Sequence, residues 1–199
     1  MGIIGSAIVL LTLLTAVFAP ALAPYDPYDQ NLSEALKGPT ASHPLGYDDL
    51  GRDILSRIIY GSRISLKVGI ITVAVSAFVG ILVGGLAGYL GGWIDEILMR
   101  ITDILLAFPG ILLAIGIMAI LGPSFNNVLI ALCIVGWKSY ARLVRGEILK
   151  EKEKEYILAA RALGYSKIRI IFFHLIPNTM NSVLVMATLG IATMIIAEA

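Results

Sequence analysis

The sequence predicts an all-α membrane protein, a polytopic bundle of helices that cross a bilayer several times. Apolar residues make up 58% of the 199 residues, and the mean hydropathy of +0.88 is well above that of an average soluble protein. These residues are concentrated in long uncharged stretches, of which Ile3–Ala23 has 21 residues and Val68–Ile94 has 27. Because about twenty apolar residues in a helix cross the hydrocarbon core of a bilayer, each stretch predicts a span.

Two further stretches complete the pattern of spans. The stretch from Ile104 to Lys138 is charged only at its last residue, and turn-forming residues from Gly122 to Asn127 divide it. Asn178–Ala197 is again uncharged. We therefore predict five spans, at residues 3–23, 66–91, 97–121, 127–145 and 180–199.

The first span has an alternative interpretation as a cleavable signal peptide, because Ala21-Leu22-Ala23 resembles a cleavage site. Signal peptides begin with a basic region, and no Lys or Arg precedes this stretch. Pro24 would also directly follow the cut, where we expect it to hinder cleavage. We therefore interpret residues 3–23 as an uncleaved helix.

Positive charge in the connecting segments predicts the orientation of the chain. Residues 138–174 contain nine Lys or Arg and four Asp or Glu, whereas residues 24–67 contain five and six. Because cytoplasmic loops carry an excess of Lys and Arg, we expect residues 146–178 in the cytoplasm and residues 24–65 in an extracytoplasmic segment. The amino terminus is then cytoplasmic. The net charge of +1 indicates no nucleic-acid partner.

The second span carries a glycine face. Gly80, Gly84 and Gly88 repeat every four residues and so lie on one side of a helix. Small residues at this spacing let two helices approach closely in lipid. A glycine face that lines a transport pathway is the alternative, and the sequence leaves both open.

The extracytoplasmic segment predicts a turn at Pro44 and Gly46 followed by an amphipathic helix on the outer membrane surface. Acidic and basic residues pair at a spacing of four, and apolar residues recur at the same spacing. His43 and Asp49 complete a cluster of titratable residues, but their spacing matches no metal signature. The residues that predict the helix are Asp48 with Arg52, Asp53 with Arg57, and Leu50, Ile54 and Ile58.

The stretch "EYILAARALGYSKIRIIFFHLIPN", Glu155 to Asn178, is a polar segment between apolar ones. The pattern from Lys150 to Leu163 predicts a helix, and Gly164 is suited to the left-handed position after it. Ser166 can cap a second helix, Lys167–Ile176, and Pro177 interrupts that helix before the fifth span.

One face of the first helix carries Tyr156, Ala159, Ala160 and Leu163. An amphipathic helix can rest on lipid headgroups, and the basic residues nearby agree with that interpretation. Two small alanines beside a glycine turn are less typical of lipid insertion, which favours larger apolar side chains. They favour a helix that docks in a groove of another protein, although the residues alone leave both alternatives open.

Five stretches in order resemble a known family: "APYDP", "HPLGYDDLGRDILSRIIYGSRISL", "YARLVRGEIL", "EYILAARALG" and "HLIPN". They are similar to the C-type permease subunit of the dipeptide, oligopeptide and nickel importers of bacteria, which are driven by ATP-binding-cassette subunits. The resemblance covers nearly the whole chain. It differs at Leu158, where the family usually has Glu, and at Tyr47, where it usually has Thr.

The resemblance implies a function and a site. In that family the segment 146–178 is the EAA loop, whose coupling helix docks on the ATPase and transmits its closure to the membrane helices. The family has six spans, so the resemblance implies a single permease domain over residues 1–199 that is truncated at its carboxyl terminus. The docking residues implied by the motif are Ala159, Ala160, Arg161, Gly164 and Tyr165.

The resemblance therefore implies a permease subunit in the bacterial inner membrane that imports di- or oligopeptides by alternating access. Its implied partners are ATPase subunits, a second permease subunit, an extracytoplasmic substrate-binding protein and membrane lipid. A nickel importer of the same family is an alternative. So is an ion-coupled secondary transporter or channel, which is expected to place acidic or His residues inside its spans.

Catalytic motifs are missing from the sequence. There is no G-x-x-x-x-G-K-[ST] phosphate loop, no H-E-x-x-H and no G-x-S-x-G, so we expect a transport subunit that is not an enzyme and holds no cofactor or metal. Asp103 lies near the start of an apolar stretch, and we expect it to pair with Arg100 at the membrane interface. Cys133 has no partner cysteine in the chain.

Overall fold

The computed structural model describes residues 2–198, and within this range the regular secondary structure is helical, with one isolated β-bridge between Tyr47 and Asp53. The predicted all-α class is confirmed. Two compact units divide the chain, one up to Lys67 and one from Val68 onward. The helices are α1 Gly2–Val17, α2 Ala19–Leu22, a 3-10 turn Leu32–Glu34, α3 Ile54–Leu90, α4 Gly92–Ala107, α5 Gly110–Leu121, α6 Phe125–Glu151, α7 Glu155–Ala162, α8 Lys167–Ile170, a π turn Ile171–Leu175, and α9 Ile176–Glu198.

Three helices of the described chain are long and apolar enough to cross a membrane, namely α3, α6 and the continuous helix Lys167–Glu198. The pair α4 and α5 is apolar enough only when taken together, which gives four candidates if the pair counts as one span. The predicted first span consists of the 16-residue α1 followed by the short α2. These helices confirm a polytopic helical protein.

The predicted third span, residues 97–121, is wrong as a continuous helix. It is two helices, α4 and α5, that bend by 93° at Phe108 and Pro109. A proline disfavours helical backbone in the residue before it. Phe108 is accordingly extended, with φ −91° and ψ 136°, and Pro109 is the N-cap residue of α5.

The break also removes a hydrogen-bond donor from α4. In a continuous helix the carbonyl of Leu105 would accept from the N–H of residue 109, but proline has none. Lys138 of α6 supplies the missing donor, because its Nζ lies 2.7 Å from that carbonyl oxygen. Lys138 is buried there, and its positive charge lies at the negative end of the α4 dipole.

The glycine face of α3 packs directly on α6, which confirms the packing alternative. A Cβ placed on Gly80 would lie 2.8 Å from the carbonyl oxygen of Trp137. A Cβ on Gly84 would lie 2.9 Å from Cβ of Val144, and one on Gly88 would lie 3.0 Å from Cβ of Ile148. Only hydrogen fits at these positions, and the two backbones can therefore approach closely.

The predicted interruption at Pro177 is also wrong. The helix is continuous from Lys167 to Glu198, and the π turn Ile171–Leu175 ends two residues before the proline. The wider turn takes the N–H of Ile176 to the carbonyl of Ile171. The Asn178 side-chain amide donates to the carbonyl of His174 at 2.6 Å. A local widening of the helix thus lies at the place where a break was predicted.

In the first unit, the predicted surface helix before the second span is wrong. Gly46 and Gly51 have left-handed φ of 74° and 71°, and a Cβ on Gly51 would overlap the backbone of Asn31. Left-handed backbone cannot lie within a right-handed helix. The segment up to Asp53 is therefore irregular, and α3 begins only at Ile54 and continues for 37 residues to Leu90.

Asp48 is the acceptor for both arginines of this segment. The predicted pair of Asp48 with Arg52 is confirmed, with Arg52 Nε 2.8 Å from Asp48 Oδ2. The predicted pair of Asp53 with Arg57 is wrong, because Arg57 bonds Asp48. Asp53 instead begins α3, since its Oδ2 accepts from the N–H of Ser56 at 2.7 Å.

Asp53 is itself buried, and it is the centre of a cluster with aromatic side chains that are more exposed. Its Oδ1 lies 2.9 Å from Nδ1 of His43, whose ring stacks between Tyr25 and Tyr47 at centroid distances of 4.2 and 4.4 Å. Burial by itself raises the pKa of the Asp53 carboxyl, but hydrogen bonds from Ser56 and His43 lower it by more. The pKa of Asp53 therefore lies below its ordinary value of 3.8.

We predict that Gly84→Ala destabilises the purified protein, whereas Gly85→Ala does not. The two residues are neighbours in one helix and undergo the same change. A methyl group at Gly84 meets α6 backbone and costs about 1–3 kcal/mol, while the nearest atom to one at Gly85 is 3.6 Å away. Thermal unfolding in detergent measures both. Equal melting temperatures for the two variants would contradict the close approach of α3 and α6.

We predict that Asp53→Asn weakens the fold of residues 24–53 at neutral pH by about 1 kcal/mol, because bonds to a charged group are stronger than bonds to a neutral one. Since the folded pKa is lowered, this stabilisation is present above pH 3.8 and is lost as the pH falls through the folded value. Hydrogen exchange of this segment measures it. Asp49→Asn is the control, because the Asp49 side chain is 76% exposed. If Asp49→Asn accelerates hydrogen exchange in this segment as much as Asp53→Asn does, Asp53 has no special role.

Candidate partner-docking surface

The helix α7, Glu155–Ala162, ends as the sequence predicts, but the predicted start at Lys150 is wrong, because α6 continues to Glu151 and the backbone turns before Glu155. Gly164 has a left-handed φ of 77°, its N–H donates to the carbonyl of Arg161 at 2.9 Å, and the N–H of Tyr165 donates to the carbonyl of Ala160 at 3.1 Å. These two bonds form a Schellman motif, which satisfies the last carbonyls of the helix. The predicted cap at Ser166 is also confirmed, with its Oγ 3.3 Å from the N–H of Arg169.

One side of α7 is buried against its own chain. Ile157 is fully buried and Ala160 is 4% exposed, and both belong to a core cluster with Ile148 of α6 and with Ile170 and Leu175. The sequence reasoning missed Ile157. Its spacing of three from Ala160 was the available signal, because residues three apart share a helix face.

The other side of α7 is open. Of the five predicted docking residues, the structure places Ala159, Arg161 and Gly164 on the exposed surface and leaves Tyr165 half-buried. Ala160 is turned away from them into the core. Beside the exposed residues lies Leu163, which is 73% exposed. We define the docking surface as Ala159, Arg161, Leu163 and Gly164.

The corner between α6 and α7 is held by a single carboxylate. Glu151 accepts from Lys154 Nζ at 2.6 Å and from the Tyr156 hydroxyl at 2.7 Å. Burial, and after it the hydrogen bond to the Glu151 carboxylate, raises the pKa of Tyr156 to about 12. Tyr156 therefore stays a neutral donor at any physiological pH, and it fixes the start of α7 to the end of α6.

On the other side of the loop, Tyr165 lies between two side chains of the helix that follows. The Arg169 guanidinium carbon lies 4.3 Å from the centre of the Tyr165 ring, and the His174 ring stacks on Tyr165 at 5.7 Å. A guanidinium over an aromatic face is attractive at this distance. The turn that follows α7 is therefore anchored to the helix Lys167–Glu198.

Basic residues of α6 tie it to α4. The predicted pair of Asp103 with Arg100 is wrong, because Asp103 bonds Arg142 and Arg100 lies 3.8 Å from Glu96. The face of α4 that carries Asp103 is turned toward α6, where a cation is available. Three residue pairs of the described chain join the helices: Lys138 with the Leu105 carbonyl, Arg142 with Asp103, and Arg145 with Asp95. The last pair is bidentate, with Nε and Nη2 of Arg145 at 2.5 and 2.6 Å from the two carboxylate oxygens.

This geometry defines a class of protein: a helical membrane protein with several spans and an exposed loop helix that packs on its core. Residues 80–199 match the inner membrane component of binding-protein-dependent transport systems, and residues 1–39 match the N-terminal transmembrane domain of oligopeptide transport permease C. The chain belongs to this family of inner-membrane permeases, which confirms the resemblance inferred from the five motifs.

Individual relatives agree with the family. The chain is 47% identical to the dipeptide transport system permease protein DppC of Alkalihalophilus pseudofirmus, over all of this chain and 66% of the relative. It is 42% identical to the oligopeptide transport system permease protein OppC of Bacillus subtilis, over all of this chain and 65% of the relative. It is 45% identical to the glutathione transport system permease protein GsiD of Pectobacterium atrosepticum, over 96% of this chain and 64% of the relative. The chain thus spans about two thirds of these relatives.

We predict that Gly164→Ala costs about 1–2 kcal/mol of stability, because alanine is strained in left-handed backbone. No atom lies within 4 Å of a Cβ placed there, so the cost comes from the backbone and not from a clash. Gly146→Ala in α6 is the control, since it is equally unobstructed and has ordinary helical backbone. Thermal unfolding compares the two. A Gly164→Ala protein as stable as the Gly146→Ala protein would mean that the turn does not depend on this conformation.

Proposed function

We propose that the chain is a membrane subunit of an importer for di- or oligopeptides that is driven by separate ATPase subunits. Membership of the permease family supports transport. Three similar proteins are named for the transport of dipeptides, oligopeptides and glutathione, all of which contain peptide bonds, and this favours a peptide over nickel. The observation that carries the proposal is an exposed docking surface on a helix that is seated in the core of the bundle.

The ATPase is proposed to bind the docking surface. Small residues at Ala159 and Gly164 allow a partner backbone to come close, while Leu163 offers an apolar contact and Arg161 a positive charge. Ala160, which the motif also implied, has a different role in this proposal. It is buried with Ile157 and holds the helix against the bundle.

The proposed coupling follows from what α7 is attached to. Through Glu151 and Tyr156 it is joined to α6, and through Tyr165 and Arg169 to the helix Lys167–Glu198. Both of these helices are candidate spans. When two ATPase subunits close, each would displace its coupling helix, and the attached spans would move with it and open the pathway to the other side of the membrane. ATPase closure would shift the protein between two conformations, because the ATPase makes different contacts with each of them.

The orientation belongs to the same proposal. The docking surface lies in residues 146–178, which we propose face the cytoplasm, where ATP is available. The amino terminus is then cytoplasmic, and residues 24–65 face outward toward a substrate-binding protein. A second permease subunit completes the pathway. The excess of Lys and Arg in residues 138–174 supports this direction.

We predict that Ala159→Glu abolishes ATP-dependent peptide uptake and weakens retention of the ATPase at least about tenfold, because it places a bulky charge in an interface suited to a small residue. Uptake of a labelled tripeptide in cells, and copurification of the ATPase with the tagged full-length subunit, measure the two effects. Ala41→Glu is the control, since it makes the same change at an exposed position outside the loop.

Normal uptake and normal ATPase retention in the Ala159→Glu variant would overturn the docking proposal. If uptake by the unmodified protein follows the proton gradient and does not depend on ATP, the ion-coupled transporter is favoured. Uptake of nickel but of no peptide would leave the family intact and exchange the substrate.

A further inference from the structure

A basic cavity adjoins the docking surface and shares Arg161 with it. It has a volume of about 400 Å³ and lies between the end of α3 and the segment that follows α7. Two of its lining residues are cationic, two are tyrosines and none is acidic. The lining residues are Tyr89, Leu90, Arg161, Tyr165, Lys167 and Ile170.

The two cations that line this cavity, and Arg169 over one of its tyrosines, carry charge that no carboxylate of the described residues balances. Arg161 lies over the Tyr89 ring at 5.3 Å, and Arg169 lies over the Tyr165 ring at 4.3 Å. Within residues 2–198, neither these arginines nor Lys167 forms an ion pair, whereas Lys150 and Lys154 each pair with a glutamate. The aromatic rings hold the two guanidinium groups in place without neutralising them. Such an arrangement is complementary to an anion with several oxygen acceptors.

The position of the cavity indicates the source of the anion. Tyr89 and Leu90 are the last residues of the candidate span α3. Trp93 follows three residues later with 80% of its surface exposed, and tryptophan is enriched at the boundary between membrane and water. At this depth the abundant anions are lipid headgroups, and basic pockets between membrane helices bind them.

We propose that this cavity binds the phosphate group of an anionic phospholipid. Lys167 and Arg161 bond its oxygens, and Tyr89 and Tyr165 form the walls. The proposal requires that the chain lie in a membrane, which its family membership shows. It does not depend on the identity of the substrate or on binding of the ATPase. Because Arg161 and Tyr165 also belong to the predicted docking residues, Lys167 is the residue that separates the two sites.

Lipid binding to the purified full-length chain tests the proposal. The chain is held in neutral detergent, phosphatidylglycerol or phosphatidylcholine is added, and bound lipid is counted by native mass spectrometry. We expect phosphatidylglycerol to be retained in preference, and Lys167→Gln to weaken its binding about fivefold. Lys167→Arg is expected to restore it. Lys150→Gln is the matched control, because it removes one positive charge from an exposed side chain on the same segment.

Three results would overturn the proposal. Equal retention of the two lipids would show that the headgroup charge is not recognised. An equal effect of Lys150→Gln and Lys167→Gln would show attraction by overall charge instead of a site. Displacement of phosphatidylglycerol by millimolar inorganic phosphate would make the cavity a site for a free anion. Thermal unfolding of each variant excludes misfolding as the cause, and none of these measurements depends on uptake or on ATPase binding.

Discussion

The close approach of α3 to α6 is the constraint on which the second unit depends. Inside a bilayer, lipid is as apolar as a leucine side chain, so burial of apolar surface does not drive two helices together. Packing and polar contacts must do so, and the glycine face of α3 supplies the packing. Ile148 of α6 lies against Gly88 and also belongs to the buried cluster that holds Ile157 and Ala160. The position of α7 therefore depends on three glycines in another helix.

The accommodation of prolines in apolar helical stretches is a second theme of the fold. Pro109 leaves the carbonyl of Leu105 without its usual donor, and Lys138 of a different helix provides one. Pro177 lies beside a π turn, and the Asn178 side chain bonds the carbonyl of His174. An unpaired polar group in lipid costs about 2–7 kcal/mol, so the break at Pro109 needs such a partner. The charge on Lys138 has a structural purpose in this arrangement.

The sequence predicted what local patterns encode. Glycines spaced by four predicted a packing face, Gly164 and Ser166 predicted the turn after α7, and long uncharged stretches predicted the helices. The dipeptide Phe108-Pro109 also indicated the break in the third span. The length and hydropathy of the stretch outweighed that indication. The predicted turn at Gly46 is present, but the left-handed Gly51, which delays the start of α3, was less visible. A charge pattern of period four fits a helix and a turn equally well at this length.

Partners distant in the chain could not be predicted. Arg142 with Asp103 and Lys138 with Leu105 are separated by 39 and 33 residues, and no local pattern selects them. The same limit applies to the docking surface. A motif with two adjacent alanines marks the helix but does not say which of them faces the bundle, and the answer depends on where Ile148 and Ile170 lie. Two neighbours, Ala159 and Ala160, consequently have opposite surroundings.

The short length of α7 explains why so many contacts surround it. Eight residues are too few for a helix to be stable alone, because nucleation is costly and few bonds repay it. The Schellman turn, the Ser166 cap, the Glu151 corner and the buried Ile157 together supply what the helix lacks. A helix fixed at both ends and along one side can move only with the elements that hold it. In the proposed function, a force applied by the ATPase to Ala159 and Leu163 would therefore pass to α6 and α9 before it could unwind α7.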